Sequence, residues 1–236
     1  MKLYPLVICL LGMCCSVFAE TRLWTMADGK TVEAEFVSVI AGNVSLRSLA
    51  GKIVKVPVSQ FSDADREYIE LAMPPRLEID TSKSSEQRIF PDSLSELPRS
   101  FYFTLTAKIT QKSTLKYTHP LDVEFFFFIK EIDGGKDIIA DYKQATFTLQ
   151  GSGSTFELES DTVELPTYSL DETTRGEEYS GYLIVVTDAR GEVIAHEGTK
   201  ETYWEHIENL RKVPVGKWID EECNRTYPTR PKPFYK

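Results

Sequence analysis

From Arg22 onward, apolar and polar residues alternate in short bursts broken by turn residues, the pattern of strands with one wet face. Val32, Ala34 and Phe36 fall on one side and Glu33 and Glu35 on the other. The parity then slips, because Val37 and Val39 continue the apolar count one residue out of step. That slip predicts a bulge or sharp bend in a small barrel. Asp28-Gly29, Ala41-Gly42-Asn43 and Ala50-Gly51-Lys52 supply the turns, with Gly42 and Asn43 the pair suited to positive φ. Val44 and Leu46, then Val54, Val56 and Val58, complete the inward set. Ser62-Asp63-Ala64-Asp65 predicts a helix start, with Ser62 accepting from the first-turn amides and the acids at the positive end of the dipole. Ala64, Tyr68 and Leu71 give that helix a stripe, with Ile69 beside them, and Pro74-Pro75 ends it.

A second pattern follows. Leu77 and Ile79 predict a short strand, and Thr81–Arg99, rich in Ser, Pro and charge, reads as a connection or long surface loop. Phe101, Phe103, Leu105, Ala107 and Ile109 then alternate with polar residues in a long half-buried strand. Leu121–Ile129 repeats that alternation, but Phe125–Phe128 makes the middle apolar on both sides, which predicts a central strand whose two faces are covered. Further strands are predicted at Ile138–Tyr142, Ala145–Gln150, Thr155–Glu159, Gly181–Thr187 and Val193–Ala195, the last two joined through Ala189-Arg190-Gly191. This is the spacing of an antiparallel sandwich. A final helix is predicted from Lys200 to Arg211, with Tyr203, Ile207 and Leu210 on one stripe and Trp204 next to it. The end of the chain, 223–236, is basic and proline-spaced.

Several groups in the first pattern carry a family likeness: Arg22-Leu23-Trp24, Asp28–Val37, Gly51-Lys52, Val54-Lys55-Val56-Pro57 and Ser62-x-x-Asp65. Over about Arg22 to Ile69 the chain resembles the Sla homology domain, an SH3-like small β-barrel. That family is named from a yeast endocytic adaptor and is also found in exported proteins of planctomycete and verrucomicrobial bacteria. The adaptor's domain recognises short peptides centred on Asn-Pro-Phe, so the resemblance implies a peptide or protein contact surface here. The expected architecture is mainly β. An SH3-like barrel (20–73) precedes an antiparallel β-sandwich of immunoglobulin-like architecture (75–222, with 74–99 partly linker) that ends in a helix, and a basic tail (223–236) follows.

Composition narrows the function. The 236 residues hold 36 acids against 27 bases, a net charge of −9. Such a chain lacks the basic footprint of phosphate-backbone binding, so nucleic acid is excluded as a partner class. Lys2, the uncharged stretch Leu3–Val17 and Val17-Phe18-Ala19 read as a signal peptide cut after Ala19. That implies an exported protein of the periplasm, outer surface or medium, with no spanning segment after processing. Cys9, Cys14 and Cys15 would leave with it, so Cys223 stands alone and no intrachain disulfide is available.

Chemistry is sparse. His119, His196 and His206 have no metal-binding spacing, and Gly151-Ser152-Gly153-Ser154 opens no helix that could cradle a phosphate. No catalytic residue, metal site or cofactor is expected. The candidate binding residues are aromatic: Trp24, Tyr203, Trp204 and Trp218. Trp24 also suits the barrel's own fabric, and Trp204 and Trp218 could secure the final helix and tail. The function expected first is a non-catalytic exported protein that binds a protein or peptide partner. A structural subunit of a pilus-like surface assembly is the second reading. A glycan-binding module or hydrolase using the acids between Glu157 and Glu178 is the third. Oligomeric state is left open.

Overall fold

The computed structural model describes residues 21–88, 99–114, 116–132, 134–170 and 173–229, so the expected signal peptide and residues 230–236 of the basic tail lie outside the described residues. The chain divides into two compact units, Met1–Ile69 and Glu70–Lys236.

The first unit is a four-stranded antiparallel sheet in the order β1 (Thr21–Thr25), β2 (Thr31–Ile40), β3 (Asn43–Ser48), β4 (Ile53–Pro57). The register shifts between Phe36 and Ser38, so Val37 is the bulge that the slipped parity predicts. At the β2–β3 turn the outcome differs from expectation: Ala41 (φ 48°) and Gly42 (φ 74°) take the positive-φ positions, and Asn43 begins the next strand. A single 3-10 turn, Val58–Gln60, leads to α1 (Asp63–Leu71). That turn closes the sheet on itself. Met26 bridges Phe61, Ala27 N donates to Gln60 O, and Ser62 N donates to Thr25 O. Trp24 (0 % exposed), Val44, Leu46 and Phe61 form the small core.

The second unit opens with β5 (Leu77–Arg88), β6 (Arg99–Gln111), β7 (Leu121–Glu131) and β8 (Asp137–Phe147). It continues with β9 (Thr155–Glu159), β10 (Val163–Leu170), β11 (Thr173–Thr187) and β12 (Val193–Gly198). The 15-residue β11 pairs with β10 over Thr173–Gly176, with β7 from Glu177 to Thr187 and with β12 from Leu183 to Thr187, so one strand serves two sheet segments. Leu105, Ala107 and Ile109 of β6 meet Val123, Phe125, Phe127 and Ile129 of β7 in one core. Phe126 and Phe128 point to the opposite face of β7. There they pack with Leu183 and Val185 beneath Tyr203, Ile207 and Leu210. The four phenylalanines therefore fill two cores on either side of one central strand, and all are within 1 % of full burial.

Three readings of the sequence need correction. The reading of a connection from Thr81 does not hold over 81–88, where the residues form the second half of β5, paired with β6 through Arg88–Ser100. Residues 82–87 are exposed, so this polar edge is held by its backbone ladder and shows no apolar alternation. The two strands expected at Ile138–Tyr142 and Ala145–Gln150 are one continuous β8. The final helix breaks into α2 (Glu201–Glu205) and α3 (Ile207–Leu210) at His206, whose backbone (φ −114°, ψ 27°) is not helical, although the buried stripe Tyr203, Ile207, Leu210 persists. Short strands β13 (Trp218–Ile219) and β14 (Arg225–Thr226) then add to the edge of β8.

Candidate functional site

The residues that carry the family likeness build a clamp inside the barrel. Asp65, its side chain only 4 % exposed, accepts from Arg22 Nη2 (2.6 Å), Thr25 N (2.7 Å) and Ser62 Oγ (3.0 Å). Ser62 Oγ in turn accepts from Asp65 N (3.2 Å), which caps the helix. The Arg22 guanidinium lies 3.8 Å from the Tyr68 ring centroid and 4.8 Å from that of Trp24. Trp24 stacks edge-on with Phe61 and Tyr68, and its indole donates to Ala34 O (2.9 Å). The motif thus ties α1 to β1, and Trp24 offers no surface to a partner.

What the barrel does offer is its rim. Among the described residues eleven large hydrophobics are exposed, and eight of them lie between Leu23 and Tyr68. Two sit on β4, Ile53 (52 %) and Val54 (46 %), and β4 is the last strand of its sheet. Ser48 N donates to Lys52 O and Val58 N to Gly42 O. The antiparallel alternation between those bonds turns the amides and carbonyls of Val54 and Val56 toward β3 and those of Ile53 and Lys55 outward. Among the described residues no strand pairs with the outer side of β4, an edge that exposes Ile53 and Val54.

The other aromatic candidates do not converge. Tyr203 is 1 % exposed, its ring 3.9 Å from that of Phe128 and its hydroxyl donating to Asp137 Oδ2 (2.9 Å). Burial and the Asp137 carboxylate drive its pKa well up. Like Trp24, it has no face for a ligand. Trp218 is half-buried and donates to Glu131 Oε1 (2.7 Å). Trp204, partly buried, stacks on His196 (4.1 Å between centroids, 11°). His206 occupies the helix break. Of the acids between Glu157 and Glu178, Asp171 and Glu172 lie outside the described residues; the others are spread over β9, the connection to β10, β10 and β11, and ion pairs to Lys108, Lys143 and Lys130 take up Glu157, Asp161 and Glu178.

One cleft, of about 840 Å³, was not foreseen. It lies where the helix-side face of β7, β8 and β11 runs out from under α2 and α3. The registers place Thr187, Asp122 and Thr146 in one cross-strand row and Val185, Glu124 and Gln144 in the next. The row after that is Leu183, Phe126 and Tyr142, where the covered core begins. Glu124, 13 % exposed, accepts from Tyr142 OH (2.7 Å) and Arg211 Nε (3.0 Å), with Arg211 Nη2 also paired to it. Burial pushes the Glu124 carboxyl up, but the bonds from Arg211 and Tyr142 outweigh it and hold its pKa below the usual 4.5. Tyr142 is pushed up by burial and by that carboxylate. Thr146 Oγ1 donates to Asp122 Oδ1 (2.6 Å). The sequence signal for this cleft is the polar pair Asp122 and Glu124 on the very face where Phe126 and Phe128 are buried.

No curated protein matches the chain. Among solved structures, a protein from Akkermansia muciniphila is 17 % identical, with 56 % of this chain and 77 % of that one covered and a TM-score of 0.27. A Bordetella pertussis protein named ApaA is 16 % identical over 51 % of this chain and 92 % of its own, with a TM-score of 0.22. A Northeast Structural Genomics Consortium target is 12 % identical over 52 % and 85 %, with a TM-score of 0.27. At such scores these likenesses carry no weight for fold or function. The family model of SLA1 homology domain 1, SHD1, matches residues 17–76, the stretch that holds the clamp and the β4 edge, so the chain carries an SHD1 domain at the head of its sandwich.

Proposed function

We propose that this chain is an exported, non-catalytic interaction protein whose SHD1 barrel takes an extended peptide of a partner along β4. Export rests on Lys2, the apolar stretch to Val17 and the small residues before Glu20. The observation that carries the binding reading is the β4 edge itself. Ile53 and Val54 are exposed there, and the backbone groups of Ile53 and Lys55 point away from the sheet. An added strand gains main-chain bonds from such an edge and specificity from apolar side chains set two residues apart. Lys55 and Pro57 are the kind of residues that keep an open edge from pairing indiscriminately.

The edge geometry supplies its own test. Lys55→Pro deletes one outward amide and leaves the bonds to β3 intact, since proline is tolerated where the N–H faces solvent. Random 12-residue peptides displayed against the intact processed protein should yield binders. Their affinity should drop at least about tenfold on Lys55→Pro and on Ile53→Asp, the scale of one or two lost main-chain bonds. Selected peptides that bind Lys55→Pro as well as the parent protein would move the contact off this edge.

A further inference from the structure

We propose that the cleft over β7, β8 and β11 binds a primary alkylammonium group, the chemistry shared by a lysine side chain and a free aliphatic diamine. This site is independent of the barrel, and its volume of about 840 Å³ falls in the range of small-ligand sites.

The donor and acceptor inventory selects the ligand. The hydroxyl protons of Tyr142 and Thr146 are spent on Glu124 and Asp122. The Arg211 guanidinium is spent on Glu124 and Glu208. Gln144 also hydrogen-bonds to Glu124, so what remains toward the cleft is mostly acceptor: carboxylate lone pairs on Asp122 and Glu124 and the oxygen of Thr146, with the Thr187 hydroxyl able to act either way. The charged residues that line the cleft are Asp122, Glu124 and Arg211, two carboxylates to one guanidinium, so the local charge is negative. An ammonium has three donors and no acceptor, which is the complement of that set. A carboxylate or phosphate would meet two carboxylates against one guanidinium that is already paired.

Spacing agrees with charge. Asp122 and Glu124 are two residues apart on one face of β7, about 6.6 Å along the strand. An ammonium nitrogen bonded to an oxygen of each at about 2.8 Å spans up to roughly 5.6 Å, a gap that a change of rotamer at the exposed Asp122 closes. Glu124 is already braced by Arg211 and Tyr142 and need not be ordered on binding. A metal ion is the poorer fit, because among the described residues no three His, Cys, Asp or Glu side chains come together.

The test is titration of the whole processed protein with 1,5-diaminopentane, with Nα-acetyl-lysine amide and with pentane-1,5-diol, followed by amide NMR shifts. Both amines should saturate, with shifts centred on residues 122–124, 144–146 and 187, and added salt should weaken them. Binding of both amines points to free amines as a source, and binding of the lysine amide alone to a peptide side chain. Asp122→Asn should weaken the amines about fivefold, the scale of one partly screened charge contact. Asp80→Asn, an exposed acid on β5, should leave them unchanged. A diol that binds as tightly as the diamine, an Asp122→Asn protein that binds like the parent, or no saturation by either amine would each overturn the assignment.

Discussion

In the barrel one tryptophan packs against three other rings, Phe36, Phe61 and Tyr68, whereas in the sandwich four consecutive phenylalanines are shared between two cores. Residues 20–69 carry seven acids and six bases and expose eight large hydrophobics, while residues 70–236 carry 29 acids and 20 bases and, among the described residues, expose three. The difference follows from size. A sheet of four short strands has too little interior for all its valines and isoleucines, so some stay at the rim. A strand with sheets on both sides and helices above can cover every apolar residue, and its remaining surface is free to be acidic. The proposed uses follow that division, an apolar edge in the barrel and a charged cleft in the sandwich.

The comparison breaks first at the cores. Trp24→Ala and Phe128→Ala each remove a fully buried ring, at a cost of about 3–5 kcal/mol. The barrel cannot absorb that loss. Limited proteolysis of Trp24→Ala should cut within 21–69 and leave the sandwich whole. Phe128→Ala should keep its fold and lower the sandwich's melting temperature by roughly 10 °C. Equal proteolytic sensitivity of both units in either variant would show that they do not unfold separately.

A smaller effect sharpens the electrostatic half. Glu124 has its pKa held below 4.5, so its bonds to Arg211 and Tyr142 stabilise the fold in full at pH above that value. This contribution drains away as pH falls through the folded-state value. Glu124→Gln should cost about 2 kcal/mol at pH 7, at the low end for a buried pair because Arg211 keeps a third of its surface in water. Denaturant midpoints of the variant should then change less than those of the parent between pH 5 and pH 3. Parallel curves would place the acid sensitivity elsewhere, with Asp188 the next group to examine, since Arg190 and two backbone amides also lower its pKa against the pull of burial.

The thiol gives a third measure. Burial, with help from the Asp137 and Asp220 charges, pushes Cys223 up from 9.0 to about 11. In the folded protein it is protonated and enclosed, so iodoacetamide at pH 8 should label it only after denaturation. Its neutral form contributes stability below pH 9, and this is lost as pH rises toward 11. Rapid native labelling would mean that the strand β13 and its neighbours open readily.

How much of this was legible in the sequence depended on whether one residue's chemistry decided the matter. The slipped parity at Val37 marked a bulge, Ser62 marked a helix start, and Phe125–Phe128 marked a strand covered twice. The second half of β5 was invisible because a wet edge strand has no apolar period and takes its place from the ladder to β6. β10 was hidden by Pro166 and by Glu164. It is packed so closely on β11 that a side chain at Gly176, where φ is 126°, would strike Pro166 O. The clamp could be read as a motif but not as a function, since neither pairing of Arg22 with Asp65 nor burial of Trp24 follows from spacing. The cleft was out of reach because Asp122, Thr146 and Thr187 lie on three strands joined only by register.

The smallest effect lies at the β2–β3 turn. Ala41 holds φ at 48° beside Gly42 at 74°, a pair of positive values matching the tight hairpin turn that favours Asn-Gly. An alanine in that conformation costs about 1 kcal/mol, because its Cβ crowds the backbone carbonyl. Asn43 Nδ2 donates to Ala41 O (3.1 Å), a local bond that a change of side chain at 41 leaves in place. Ala41→Asn should therefore stabilise the barrel by about 0.5–1 kcal/mol while leaving the sandwich transition where it was. A gain in the sandwich transition as well would mean that the small unit's stability is coupled to the large one. An unchanged barrel would mean that the turn already relaxes its strain along the strands. Since Ala41 lies at the far end of β2 from the β1–β2 pairing, the size of the gain measures how far strain at one turn is felt along a sheet this narrow.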